Sequence, residues 1–289
     1  MNYKTIGSQT FGIEIITQGI DHQLIWDAIL NNSLLYKFIP DLKLDNYPTS
    51  KIDVVNLELK KYRLNKSKAY IQGVFNNDYT SSDIIVLCES ILERNRQEIG
   101  IYTIHSSAIH KNGKGILFMG NLTGLGKTST ALFLCKINGY TLYSDEKTSL
   151  NSATIGFSGQ TKKIYIESKT KERLSDYMNV QSEIEIVNVS TPPKLSYIII
   201  PVVTNDADNL VAKLYSLDQT KWMLYEELTK DIRLINGSIF NMTTPLRSLD
   251  TQSIAQARLN FAISIAETIP CYYIQGSLTQ ISQFIENLQ

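Results

Sequence analysis

IHSSAIHKNGKGILFMGNLTGLGKTSTALFLCKINGYTLYSDEKTSL, residues 104–150, is the stretch that decides the fold of this chain. Within it, the apolar run Gly115–Met119 predicts a strand, and a glycine-rich turn follows that strand. Ala131 and Leu134 then lie on one face of a predicted helix. The run Tyr140–Tyr143 predicts a second strand, which ends at an acidic pair. Strand, glycine-rich turn, helix and strand is the order that an α/β phosphate-binding unit requires.

The turn contains Gly124-Leu125-Gly126-Lys127-Thr128 at the predicted start of the helix. Glycines allow backbone N–H groups to point at phosphate oxygens, and the N-terminus of the helix adds partial positive charge. We expect Lys127 to reach the β- and γ-phosphates of ATP and the Thr128 hydroxyl to bind Mg²⁺. The predicted nucleotide-binding residues are Gly120, Asn121, Thr123, Gly124, Leu125, Gly126, Lys127, Thr128 and Ser129.

The turn departs from the strict pattern G-x-x-x-x-G-K-[ST] at one position. Asn121 stands where that pattern has its first glycine, and Gly120 lies one residue earlier. The turn therefore either has an extra residue or begins with an asparagine in the left-handed conformation. The alternative is an ordinary strand–helix turn that contains a lysine, and the order of the surrounding elements disfavours it.

The acidic pair is Asp145-Glu146, directly after the second predicted strand. Ligands of open α/β sheets bind beyond the carboxyl ends of the strands, so we expect the pair and the glycine-rich turn to face each other. One carboxylate is predicted to hold Mg²⁺ together with Thr128, and the other to accept the proton of an attacking hydroxyl. Asp145 is the preferred base, and a solvated surface turn is the alternative.

The composition limits the classes of function. Lys and Arg together number 28, as do Asp and Glu, so the net charge is zero and gives no bulk attraction to nucleic acid or to an anionic membrane. Three widely spaced cysteines without a CxxC motif predict free thiols. The first residues carry no signal-peptide pattern, and the longest apolar run, Tyr197–Val203, is too short to span a bilayer. These features predict a cytoplasmic protein that binds neither nucleic acid nor membrane.

Turn-forming residues divide the chain. The segment FNNDYTSSD, residues 75–83, separates a predicted β-rich α+β lobe, residues 1–80, from a predicted catalytic domain, residues 81–289. In the second part, the run Tyr197–Val203 predicts a strand that is buried on both faces of a parallel or mixed sheet. The segment Lys162–Arg173 is basic, and we expect it either to bind an acidic acceptor or to form a solvated helix face.

The stretch from His105 to Glu146 resembles the HPr kinase/phosphorylase family, which has a phosphoenolpyruvate-carboxykinase-like nucleotide-binding core. The residues that carry the resemblance are His105, Gly113–Gly120, Gly124-Leu125-Gly126-Lys127-Thr128, Thr130-Ala131-Leu132, Gly139-Tyr140 and Asp145-Glu146. The resemblance implies an α/β fold with a P-loop nucleotide-binding core and a mixed sheet. It also implies catalytic roles for Asp145, Lys127 and His105, in which the histidine helps to stabilise charge.

The implied activity is that of an ATP- and Mg²⁺-dependent kinase acting on a hydroxyl, most readily a serine of a peptide or small protein. The shorter members of the family include kinases of peptide precursors, and this chain is similar to them. Glu146 replaces the family's second aspartate, a change that affects the expected position of the metal. The chain also has no match to the family's PxRPGRN-type motif, and this absence puts phosphorylase activity and HPr as the substrate in doubt. The alternatives are a kinase of a small hydroxylated metabolite and a catalytically inactive nucleotide-binding regulator. The larger relatives form hexamers, so the resemblance leaves a homo-oligomer open.

Overall fold

The computed structural model of the chain describes residues 4–45, 47–57, 61–65, 67–120, 124–204, 209–233 and 248–288. Over these ranges the chain folds as a mixed α/β protein with fifteen strands and eight helices. Its strands form a five-stranded, an eight-stranded and a two-stranded sheet. Contacts group the chain into two compact units, Met1–Thr103 with Leu228–Arg258 and Ile104–Glu227 with Leu259–Gln289. The α/β fold class with a mixed sheet is therefore confirmed.

The first unit is built on the five-stranded sheet. Its strands are β1 (Thr5–Ser8), β2 (Phe11–Gln18), β3 (Ser50–Asn56), β4 (Lys61–Leu64) and β5 (Lys68–Gly73). Their order across the sheet is β1-β2-β3-β5-β4. The three central strands β2, β3 and β5 run parallel, and the edge strands are antiparallel to their neighbours. The helices are α1 (His22–Leu30), α2 (Ser33–Phe38) and α3 (Ser81–Glu98).

Local sequence sets the start of α1. The Asp21 side chain accepts a hydrogen bond from the Gln23 N–H at 2.9 Å, and Ile25 and Ile29 are buried below it. The apolar face of α3 extends the same core, so contacts group α3 with the N-terminal strands. The domain boundary predicted between residues 80 and 81 is not tested by these units, because they are defined only by contacts between residues.

The remaining elements belong mainly to the second unit. Its strands are β6 (Ile101–Lys111), β7 (Lys114–Met119), β8 (Thr141–Ser144), β9 (Lys147–Asn151), β10 (Gly156–Gly159), β11 (Lys163–Tyr165), β12 (Glu183–Glu185), β13 (Lys194–Val203), β14 (Val211–Leu214) and β15 (Cys271–Gly276). The helices are α4 (Lys127–Asn138), α5 (Ser168–Leu174), α6 (Leu217–Thr229), α7 (Gln252–Thr268) and α8 (Leu278–Glu286).

The eight-stranded sheet has the order β10-β9-β6-β7-β13-β15-β14, and β8 also pairs with β6. β13 lies between β7 and β15 and runs parallel to both. Most of its residues are buried, as the apolar run Tyr197–Val203 predicts. The parallel strands end at the same edge of the sheet, and the glycine-rich turn follows β7 at that edge.

A buried polar network surrounds Arg96 of α3 in the first unit. Arg96 is fully buried, and its Nε donates to Glu93 at 3.0 Å. Its Nη2 forms an ion pair with Glu89 at 2.5 Å, and its Nη1 donates to Ser8 of β1 at 2.9 Å. Buried charges are tolerated in this way because each is paired and hydrogen-bonded. The network therefore fixes α3 against the sheet.

The three cysteines are free thiols. Burial raises the pKa of Cys135 and of Cys271 to about 12, so neither thiol is ionised at neutral pH. Cys88 is buried as well. None of the helices within the described ranges combines the length and the apolar content needed to cross a bilayer.

Candidate functional site

The glycine-rich turn lies between β7 and α4. Gly124 has a φ of 81° and Gly126 a φ of 108°, in the left-handed region that favours glycine. The N–H of Val203, at the end of β13, donates to the Leu125 carbonyl at 2.9 Å. The turn is thus fastened to the carboxyl end of the parallel strands, where α/β sheets bind their ligands.

Gly126→Ala is expected to destabilise the protein by roughly 1–3 kcal/mol, measured by urea denaturation. A methyl group at Gly126 would lie 2.9 Å from Val203 Cβ and closer still to one of the valine methyl groups. Gly113→Ala is the matched control, because Gly113 also has a left-handed φ, of 76°, but nothing lies within 4 Å of its added methyl. A loss at Gly126 no larger than the loss at Gly113 would contradict the packing argument.

The first turn of α4 begins at Lys127, which is only 8% exposed. Ser129 Oγ is buried and has no hydrogen-bond partner among the described atoms, although buried hydroxyls normally have one. A glycine turn and a helix N-terminus together fit a phosphate group. Of the other predicted nucleotide-binding residues, Gly120 directly follows β7, while Asn121 and Thr123 lie outside the described residues.

The acidic pair occupies a break between β8 and β9. β8 pairs antiparallel with β6, and β9 is the next neighbour of β6 in the sheet. Across the break, the Ser106 N–H donates to the Glu146 carbonyl at 3.2 Å, so the two strands follow one another along β6. Glu146 has a φ of 64°, which is uncommon for any residue other than glycine. Irregularities of this kind re-aim side chains and are frequent beside active sites.

Asp145 joins three parts of the second unit. Its side chain is almost completely buried and accepts hydrogen bonds from Thr128 Oγ1 of α4, at 2.9 Å, and from Ser107 Oγ of β6. Thr161 Oγ1 donates to the Asp145 carbonyl at 2.9 Å and accepts from the Asp145 N–H at 3.1 Å. Asp145 is therefore held by hydrogen bonds to both its side chain and its backbone.

Burial raises the pKa of Asp145 to about 7, and the neighbouring Glu146 carboxylate adds to the rise. The hydrogen bonds from Ser107 and Thr128 and the charge of Lys127 act in the opposite direction. A carboxylate that titrates near neutral pH is suited to accept a proton during catalysis.

His105 lies beside the other acid of the pair. Its Nδ1 is 3.0 Å from the Glu146 carbonyl oxygen and 3.5 Å from the Glu146 carboxylate. Both side chains are about one quarter exposed, so they lie nearer to solvent than Asp145 does. The structure therefore brings His105 to Glu146, and Thr128 to Asp145, within one site.

The sequence did not identify two further residues of the site, Ser107 and Thr161. Ser107 could have been recognised, because it follows His105 by two residues and alternation along a strand puts both side chains on one face. Thr161 lies between β10 and β11, and no local pattern connects it to Asp145.

A cluster of three or more His, Cys, Asp or Glu side chains able to hold a metal ion does not occur among the described residues. Mg²⁺ does not require such a cluster, since it commonly binds one or two carboxylates together with waters and substrate phosphates. Thr128 Oγ1 and Asp145 Oδ1, which lie 2.9 Å apart, are oxygen atoms of the type that Mg²⁺ prefers. Of the predicted metal-binding residues, Thr128 and Asp145 thus fit Mg²⁺ when a phosphate-bearing ligand completes the site, whereas the Glu146 carboxylate lies beside His105.

Comparison of the chain with protein-family models finds no match, and comparison with curated proteins finds none either. The resemblance to the HPr kinase/phosphorylase family therefore stays a prediction from the sequence. The geometry of the site carries the argument about function.

Proposed function

We propose that this chain is an ATP- and Mg²⁺-dependent kinase that transfers the γ-phosphoryl group to a hydroxyl, that of a serine in a peptide or small protein. The observation that carries the proposal is the 2.9 Å hydrogen bond between Thr128 Oγ1 and Asp145 Oδ1. It joins the first turn of the helix behind the glycine-rich turn to a buried carboxylate, and phosphoryl transfer uses groups of these two kinds. The resemblance of residues 105–146 supports the same reaction and a P-loop nucleotide-binding core.

Phosphoryl transfer depends mainly on positioning and on charge neutralisation. Lys127 and the N–H groups of the turn bind the β- and γ-phosphates, and Thr128 with a carboxylate of the pair binds Mg²⁺. Bound Mg²⁺ supplies neutralisation of the phosphate oxygens. Asp145 takes the proton of the acceptor hydroxyl as the hydroxyl oxygen bonds to the γ-phosphorus. The bond between the γ-phosphorus and the oxygen that bridges it to the β-phosphate breaks, and ADP leaves. His105, beside Glu146, helps to stabilise the charge.

We also propose the class of acceptor, the location and the oligomeric state to be tested. The acceptor is a peptide or small protein rather than a nucleic acid, since the net charge of the chain is zero. The free cysteines and the use of ATP are consistent with a cytoplasmic protein. The larger members of the family that this chain resembles form hexamers. Sedimentation tests whether this chain forms a homo-oligomer.

Incubation with γ-labelled ATP, Mg²⁺ and serine-containing peptides is expected to produce labelled peptide and ADP in equal amounts. Lys127→Ala is expected to weaken ATP binding by about tenfold or more and to slow the transfer by roughly a hundredfold, because it removes a cation from the phosphates. Lys136→Ala is the control, since Lys136 is exposed in the last turn of the same helix.

Bound ATP without transfer or turnover would contradict the kinase proposal and favour a nucleotide-binding regulator. Transfer to a small hydroxylated metabolite but to no peptide would contradict the proposed acceptor class. Full activity of Lys127→Ala would contradict the assigned role of the glycine-rich turn.

A further inference from the structure

Two basic side chains of α5 lie over the glycine-rich turn. Lys169 Nζ is 3.4 Å from the point that a Cβ atom on Gly124 would occupy. Arg173 Nη1 is 3.6 Å from the corresponding point on Gly126. Both cations are therefore beside the two left-handed glycines whose N–H groups are proposed to face the phosphates. All of these residues belong to the second unit.

The spacing of the two residues explains why both side chains lie at the turn. Lys169 and Arg173 are four positions apart on a helix, so they share one face. Two other basic residues of the segment have different partners: Lys163 bonds to Glu183 at 2.6 Å, and Lys171 bonds to Ser182 at 2.6 Å. The basic segment is thus divided into side chains at the turn and side chains that form ordinary surface contacts.

The position of α5 is fixed by apolar packing. Leu174, its last residue, is completely buried in the core that also contains Phe133 of α4. Just beyond α5, Tyr177 packs edge-to-face on Phe133, with ring centroids 4.9 Å apart. These contacts hold α5 against α4, the helix that begins at the turn, so the two cations do not depend on a free loop for their placement.

The positive charges at the turn favour the binding of an anion. Lys169, Arg173 and Lys127 bring three positive charges to one glycine-rich turn, and neither Lys169 nor Arg173 forms an ion pair within the described part of the chain. Partial burial lowers the pKa of Arg173, so its charged form gains from a bound anion. Arginine and lysine are the residues that commonly bind phosphate groups.

We propose that Lys169 and Arg173 bind the phosphate chain of the nucleotide from the α5 side of the turn. This inference rests on the proposed function and adds two residues to its site. The pair neutralises the negative charge that grows on the leaving diphosphate during transfer. Because the contacts are to the phosphate chain, the site discriminates a nucleoside di- or triphosphate from a monophosphate.

The test compares Lys169→Met, Arg173→Met and the double variant with Lys171→Met, the matched control on the same helix. Affinities for ATP, ADP and AMP are measured by calorimetry, and the transfer rate is measured with labelled ATP. Each single variant is expected to lose about tenfold in ATP affinity or in transfer rate, and the double variant more. AMP affinity and the behaviour of Lys171→Met are expected to stay as in the wild type. Arg173→Lys is expected to recover part of the loss.

The outcomes separate this inference from the proposed function. If the wild type binds ATP and transfers phosphate while the double variant does the same equally well, the inference alone is wrong. If the wild type binds ATP without transfer, the kinase proposal is wrong, and the ATP affinities of the variants still decide the role of Lys169 and Arg173. If the wild type binds no ATP, both are wrong. Thermal melting of each variant checks that the fold is retained.

Discussion

Asp145→Asn is expected to lower the rate of phosphoryl transfer by about 10³-fold or more and to stabilise the metal-free protein above neutral pH. Removing a general base lowers the rate by about 10²–10⁴-fold. The substitution also removes the negative charge from the oxygen that accepts the hydrogen bond of Thr128. The glycine-rich turn and Lys127 remain in place, so we expect ATP affinity without Mg²⁺ to change little.

The gain in stability follows from the raised pKa of Asp145. In the unfolded chain this carboxyl has its ordinary pKa of 3.8, whereas burial and the Glu146 charge raise its pKa to about 7 in the folded protein. Between these two values the folded state binds the proton more tightly, so the stability of the wild type falls as the pH rises through this window. Asparagine does not titrate. The gain in unfolding free energy of Asp145→Asn over the wild type is therefore absent below the lower pKa. It is complete above the upper pKa, at up to about 4 kcal/mol.

Urea denaturation in the presence of a chelator, at about pH 4, 6 and 8, measures this difference. Glu146→Gln is the matched control: Glu146 is partly exposed, and loss of its charge is expected to give a smaller gain above neutral pH. Equal stability of the wild type and Asp145→Asn at every pH would contradict the buried, ionised carboxylate. Near-normal transfer by Asp145→Asn together with loss of transfer by Glu146→Gln would exchange the two roles.

Arg96→Met is expected to lower the free energy of unfolding by about 3–5 kcal/mol. The substitution preserves much of the side-chain volume but leaves Glu89 and Glu93, which are almost completely buried, without their shared cation. The loss measures the uncompensated charges more than the strength of the ion pairs. Chemical denaturation, followed by a spectroscopic probe in the first unit such as Trp26, provides the measurement.

Two further variants give this experiment its controls. Arg233→Met removes an arginine that is 42% exposed and bonds Asp250 at 3.0 Å, while Arg258 continues to pair with Asp250 at 2.6 Å. We expect a loss of at most about 1 kcal/mol there. Adding Glu89→Gln and Glu93→Gln to Arg96→Met is expected to recover part of the loss, because it removes the buried charges. A loss for Arg96→Met no larger than that for Arg233→Met would show that the network does not stabilise the first unit.

The elements around the glycine-rich turn could be predicted because their local patterns agree with their packing. The apolar run Gly115–Met119 forms part of β7, and the run Tyr197–Val203 lies in β13, as expected. β9 could not be predicted, since its sequence KTSLN is mostly polar although its first four residues are buried. Sheet pairing rather than intrinsic strand preference decides the structure of such a segment. The buried carboxylates of α3 were also missed, because their burial depends on Arg96.

For the candidate site, the sequence predicted the residue types, and the structure adds their contacts. Lys127 and Thr128 could be placed at a helix start because the glycine pattern fixes the turn. The hydrogen bonds from Ser107 and Thr161 to Asp145 depend on how separate strands are brought together, which residue spacing does not contain. The cations Lys169 and Arg173 are a further example. Sequence showed only a basic segment, and the packing of α5 on α4 selects the two that reach the turn.

The continuation of β8 into β9 restricts how this site can change over evolutionary time. Lys147–Leu150 are buried, and β9 is paired on one side with β10 and lies beside β6 on the other. One residue inserted next to Asp145 would turn every following side chain of β9 to the opposite face of the sheet. Residues on surface loops tolerate changes in loop length, but Asp145 lies between two strands that are both held in the sheet. New specificities at this centre are therefore expected to arise by exchange of side chains at constant length.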